Sequence, residues 1–164
     1  MKTKKLTLIS MLTACALIIF ILEAQLPPLF PIPGIKLGLA NTVTLFAICT
    51  LGRKEAFAVL ALRIVLGSIF TGNLMSLAFS VCGGIAAYIV MAAALKLRIK
   101  IPLASILGAA AHNIGQLAAA AAITHTASVF YYLPPLLASA AATGLFTGII
   151  AMLAVKRINS DKGN

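Results

Sequence analysis

Acidic residues are almost missing from this sequence of 164 residues: Glu23, Glu55 and Asp161 are the whole set. That scarcity excludes an aspartate-rich magnesium motif and a carboxylate-bridged two-metal site. Tryptophan is absent, and only 10% of residues are charged. A soluble domain carries about 25% charged residues and 45–50% apolar ones. Here 62% are apolar and mean hydropathy is +1.09. A soluble particle of this length exposes too much of its surface to hide such a composition. A soluble domain and a disordered chain are both excluded, and an integral membrane protein remains.

Nucleotide-binding loops of the GxxxxGK[ST] or GxGxxG type are missing, as is HExxH. His112 and His125 have no third metal ligand nearby in sequence, and a Ser–His–Asp arrangement has no suitable acid. The sequence therefore predicts neither an enzyme nor a metal or cofactor site. ATP-driven work would need an ATPase on another chain. The cysteines, Cys15, Cys49 and Cys82, lie in apolar runs without a CxxC, and read as buried small apolar residues.

Present instead are six apolar runs, and about 20 apolar residues cross a bilayer core. They predict an all-α, six-helix membrane domain over 1–164, with helices at about 6–26, 35–51, 56–72, 74–95, 102–124 and 132–155. The second and third are short, either tilted spans or half-buried helices around a cavity. The first run is longer than a signal-peptide core, and Leu22-Glu23-Ala24 lacks the small residue wanted before a cleavage site. It is read as a retained helix.

Thirteen Lys+Arg give a net charge of +10. They sit in short clusters between apolar runs, which points to membrane topology and anionic lipid, not nucleic acid. With the N-terminus inside, Lys2, Lys4, Lys5, Arg53, Lys54, Lys96, Arg98, Lys100, Lys156, Arg157 and Lys162 all fall on the inner side, and only Lys36 on the outer side. Both termini are predicted to be cytoplasmic.

Polar side chains inside apolar runs mark candidate sites. They are Glu23, Lys36, Asn41, Arg63, Asn73, His112, Asn113 and Gln116. By depth, most converge on the outer half of the membrane, with Arg63 near the middle. His112 and Gln116 share a helix face at i,i+4 spacing, with Asn113 beside it. The pattern predicts a substrate pocket opening outward. Asn113 and Gln116 could equally tie helices together, Lys36 could reach to the headgroups, and Glu23 could pair with Arg63 or Lys36 or act as a gate. Arg63 and Lys36 favour an anionic ligand group. The stretch Gln25–Gly34 holds four prolines and cannot be a helix; it reads as a stiff apolar flap over the pocket. Gly144-x-x-x-Gly148 and the alanine-rich runs are close-packing surfaces, either internal or for another membrane subunit. Ser10-x-x-x-Ala14 on the first helix is a weaker one.

Three stretches carry a family resemblance: Pro31-Ile-Pro-Gly-Ile-Lys-Leu-Gly-Leu-Ala-Asn41, Arg63 with Gly67, and Gly108-Ala-Ala-Ala-His-Asn-Ile-Gly-Gln116. They resemble the small bacterial membrane proteins of the Gx transporter family, also labelled heptaprenyl diphosphate synthase component I. That family is similar to the S components of energy-coupling factor (ECF) transporters. The resemblance implies six helices, an outward pocket for a vitamin-like small molecule such as a flavin, and location in the bacterial cytoplasmic membrane. It implies as partners a transmembrane T component, met through the Ser10 and Ala14 face, and two cytoplasmic ATPases. Under the synthase label the chain would be a non-catalytic accessory subunit in isoprenoid synthesis.

Overall fold

The computed structural model describes residues 2–25, 37–72 and 74–161. Among the described residues, six α-helices run in chain order: α1 (Lys2–Gln25), α2 (Asn41–Thr50), α3 (Arg53–Thr71), α4 (Leu74–Lys96), α5 (Ile101–Thr124) and α6 (Leu133–Asp161). A 3-10 helix, Ala127–Tyr132, precedes α6. No strand occurs among the described residues. Pro102 stands in the first turn of α5, where its missing N–H is harmless.

Four segments are long and apolar enough to cross a membrane: Thr3–Gln25, Leu74–Lys96, Ile101–Thr124 and Ala127–Ser160. Large apolar side chains such as Met11, Ile18, Ile89, Phe146 and Leu153 point outward on these helices. An outward apolar surface of that extent requires a lipid surrounding. The chain is a membrane-embedded helical protein. The same surround explains why Cys15 and Cys82 are exposed, against the expectation that they would be buried: in lipid, a small apolar residue fits an outer face as well as a core.

The second helix differs from its predicted range. It begins at Asn41, not at 35. Leu37 through Ala40 are not helical, and Leu39-Ala40 form a turn whose carbonyls receive the amides of Thr42 and Val43. The cause is Gly38, which takes φ +78°, a conformation that glycine adopts readily and L-residues do not. The resulting ten-residue helix is about 15 Å long, half of what a bilayer core demands. It need not cover a full bilayer by itself, because it is enclosed: α2 touches α1, α3, α4, α5 and α6, and none of its residues is exposed. Leu45, Ala47 and Ile48 of α2 pack with Ala56, Ala87, Met91 and Ala151 in the main core cluster.

Close approach elsewhere depends on glycine. A Cβ at Gly144 would stand 2.7 Å from the Cα of Ile106, and one at Gly148 2.7 Å from the Cα of Pro102. Gly144-x-x-x-Gly148 therefore seats α6 on α5 of the same chain, an internal use. At the basic end, Lys5 of α1 and Glu55 of α3 form an ion pair, and Tyr88 of α4 donates its hydroxyl to the Arg53 carbonyl at 2.9 Å.

Candidate functional site

Five of the residues singled out by their polarity come together. Glu23, Asn41, Arg63, His112 and Gln116 are all buried. They arise from α1, α2, α3 and α5, and a fifth element, α4, closes the cluster with the Gly83-Gly84 pair.

Glu23 occupies the last turns of α1. Its carboxylate accepts from the amide of Gly38 at 2.6 Å and from that of Leu39 at 3.1 Å. It thereby fixes the turn that launches α2, a charge-assisted pairing of roughly twice the strength of a neutral one. The anion also lies near the N-terminus of α2, where the helix dipole favours negative charge.

Asn41 is the first residue of α2. Its Oδ1 accepts from Arg63 Nη2 at 3.4 Å. Arg63 is only 2% exposed. It stands over the Phe20 ring, 5.8 Å from the centroid, a cation–π geometry. Phe20 in turn fills the space left by Gly67, where a Cβ would come within 2.7 Å of its ring. Glu23 and Arg63 are the buried acid and the buried arginine among these residues. One buried anion and one buried cation thus balance the cluster.

His112 and Gln116 project from one face of α5, one turn apart. His112 is clasped between two glycines. A Cβ at Gly38 would meet His112 Cδ2 at 2.7 Å, and one at Gly83 would meet Nδ1 at 2.8 Å and Gln116 Cγ at 2.9 Å. The Gly38 position also lies 2.9 Å from Asn41 Nδ2, so the turn before α2 joins the His112 and Asn41 sides of the cluster. Gly84 gives the matching clearance on the other side, 3.3 Å from Arg63 Nη2.

Two buried donors in this cluster, Arg63 Nε and Asn41 Nδ2, have no hydrogen-bond partner among the described residues. Buried donors are nearly always satisfied. Thr44, one turn beyond Asn41 and fully buried, likewise has an unpaired hydroxyl. Thr44 was missed in the sequence because threonine scarcely lowers the hydropathy of an apolar run; its three-residue spacing from Asn41 was the signal available. Gly38 and Phe20 also went unrecognised as site-forming residues.

Asn113 does not join them. It is buried but turns toward α6, donating from Nδ2 to the Leu136 carbonyl at 2.8 Å. The adjacent position on a helix is rotated by about 100°, which separates it from His112. Ser10 and Ala14 are exposed on the outward face of α1. Lys36, Asn73 and residues 26–34 of the proline-rich flap lie outside the described residues. Among the described residues, no three His, Cys, Asp or Glu side chains stand close enough to share a metal ion.

No curated protein and no solved structure matches this sequence. A family model described as heptaprenyl diphosphate synthase component I matches residues 12–154. That range begins in α1, ends in α6 and holds every member of the buried polar cluster, so the chain belongs to the heptaprenyl diphosphate synthase component I family.

Proposed function

We propose that the chain is the membrane-embedded binding subunit of a transporter, similar to an S component of an energy-coupling factor system. In this reading it crosses the membrane six times with both termini cytoplasmic, α2 being a half-length helix sheltered by the rest. Its cargo is a small vitamin-like molecule with an anionic group, a flavin being the first candidate. Arg63 and Asn41 address the anion, His112 and Gln116 line the adjoining wall, and Lys36 and Asn73 are assigned to the same site on sequence grounds. The observation that carries the reading is the pair of buried donors, Arg63 Nε and Asn41 Nδ2, that have no partner among the described residues. Each would be satisfied by a ligand acceptor oxygen. Energy would come from a T component docked on the Ser10 and Ala14 face of α1 and from cytoplasmic ATPases.

Family membership favours a second reading, a non-catalytic membrane subunit that accompanies a heptaprenyl diphosphate synthase. The placement of the acids agrees with a non-catalytic role. Glu23 holds backbone amides and Glu55 pairs with Lys5, so each of these carboxylates is engaged elsewhere. Affinity purification of the full chain from its native membrane separates the readings. Recovery of a membrane subunit with two ATPases supports transport. Recovery of a soluble prenyl synthase instead would overturn it in favour of the second.

A further inference from the structure

At the basic end of the bundle, the α2–α3 turn faces the α4–α5 turn across a cleft of about 350 Å³. Its wall is apolar, built by Ile48, Ala92, Leu95 and Ile101, and it carries two cations, Arg53 and Lys96. Ala92, Leu95 and Lys96 share one face of α4 by their helical spacing, so one short stretch supplies both the greasy wall and a charge. Tyr88, one turn away on α4, holds the start of α3 through the Arg53 carbonyl. The distance between the two cation-bearing elements is therefore fixed by a contact outside the cleft.

The electrostatics are one-sided. Arg53 and Lys96 form no ion pair among the described residues, and the nearby carboxylate of Glu55 is taken by Lys5. The ends of α2 and α4 meet the starts of α3 and α5 at this cleft, so helix dipoles of opposite sign offset one another and the side-chain cations set the field. Both cations are exposed, while the wall below them is the edge of the main core cluster, which contains Ile48 and has Ala92, Leu95 and Ile101 packed against it. Two cations above an apolar wall match a phosphate headgroup with its attached chain, and basic pockets between membrane helices bind such headgroups.

We propose that this cleft is a headgroup site for an anionic phospholipid. The site involves none of the residues of the buried polar cluster, so it stands or falls independently of the transport reading.

The test is native mass spectrometry of the full chain released from nanodiscs containing equal phosphatidylglycerol and phosphatidylcholine. The wild type is expected to retain phosphatidylglycerol preferentially. The double variant Arg53→Gln/Lys96→Gln should lose that retention by about tenfold or more, given the attraction of each basic residue to an anionic surface. Lys4→Gln/Lys156→Gln removes the same charge away from the cleft and should leave most of the retention in place. Ala92→Trp, which fills the wall without altering charge, should lower retention as the first double variant does. Equal losses in the two double variants, or no preference for phosphatidylglycerol in the wild type, would overturn the proposal. Displacement of the lipid by equimolar farnesyl diphosphate, abolished by Arg53→Gln/Lys96→Gln, would also overturn it, reassigning the cleft to an isoprenyl diphosphate.

Discussion

The carboxylate of Glu23 receives the amide of Gly38 at 2.6 Å, and with this bond the end of α1 sets the start of α2. A glutamine at position 23 offers one oxygen in place of two and turns an N–H toward a backbone donor. Glu23→Gln is expected to destabilise the protein by about 1–3 kcal/mol, the range for losing a charge-assisted bond or leaving a buried donor unmet. Thermal unfolding in detergent is the measurement, and an unchanged midpoint would remove Glu23 from its anchoring role.

Gly38 and Gly72 both take positive φ, +78° and +61°, but only Gly38 is crowded. Its Cβ would strike the His112 ring, whereas Gly72 has open space. Gly72→Ala should cost only the backbone strain, about 1–2 kcal/mol. Gly38→Ala should cost clearly more, because His112 and Asn41 must also move. Equal stabilities for the two variants would contradict the packing of His112 against this turn.

Asn113 and Asn41 should part company in function. Asn113→Ala removes the bond to the Leu136 carbonyl, which still receives the Ser139 hydroxyl at 2.9 Å. A loss of about 1 kcal/mol in stability is expected, with ligand affinity unchanged. Asn41→Ala should weaken ligand binding, since it removes one of the two donors without a partner among the described residues. Titration of both variants with the same ligand checks the contrast.

The contrast also shows what was legible in the sequence. Arg63, His112 and Gln116 stood out because charged and amide groups are expensive in an apolar run, and the structure buries all three in one cluster. Asn113 stood out equally, yet its direction depends on the rotation of α5 against α6, which the Gly144 and Gly148 contacts set. The first turn of α2 was not legible because it follows from Gly38 φ and a carboxylate fifteen residues earlier. Thr44 was hidden by its mild polarity. The six helical segments themselves followed from hydrophobic length, with α2 shortened at its beginning and α6 extended to Asp161.

The Lys5–Glu55 ion pair makes a pH prediction. The hydrogen bond from Lys5 holds the Glu55 carboxyl below the ordinary glutamate range. A carboxyl whose folded pKa is depressed contributes stability that is complete above its unfolded value, near 4.3, and is lost as pH falls through the lower folded value. The clasp between α1 and α3 should therefore hold at neutral pH and weaken in acid. Glu55→Gln should flatten the acid limb of a stability-versus-pH profile, and an identical limb in the variant would show that the pair carries no linkage.

The account rests on Arg63 as the cation that receives an anionic ligand. The direct measurement is equilibrium binding of flavins and other anionic vitamins to the purified full chain, wild type against Arg63→Ala, with circular dichroism reporting the fold of both. The account predicts saturable binding of one such ligand to the wild type and at least about a tenfold loss in Arg63→Ala, the loss expected when a buried charge-assisted contact is removed. Equal affinity in a folded Arg63→Ala variant, or no saturable binding in the folded wild type, would contradict it.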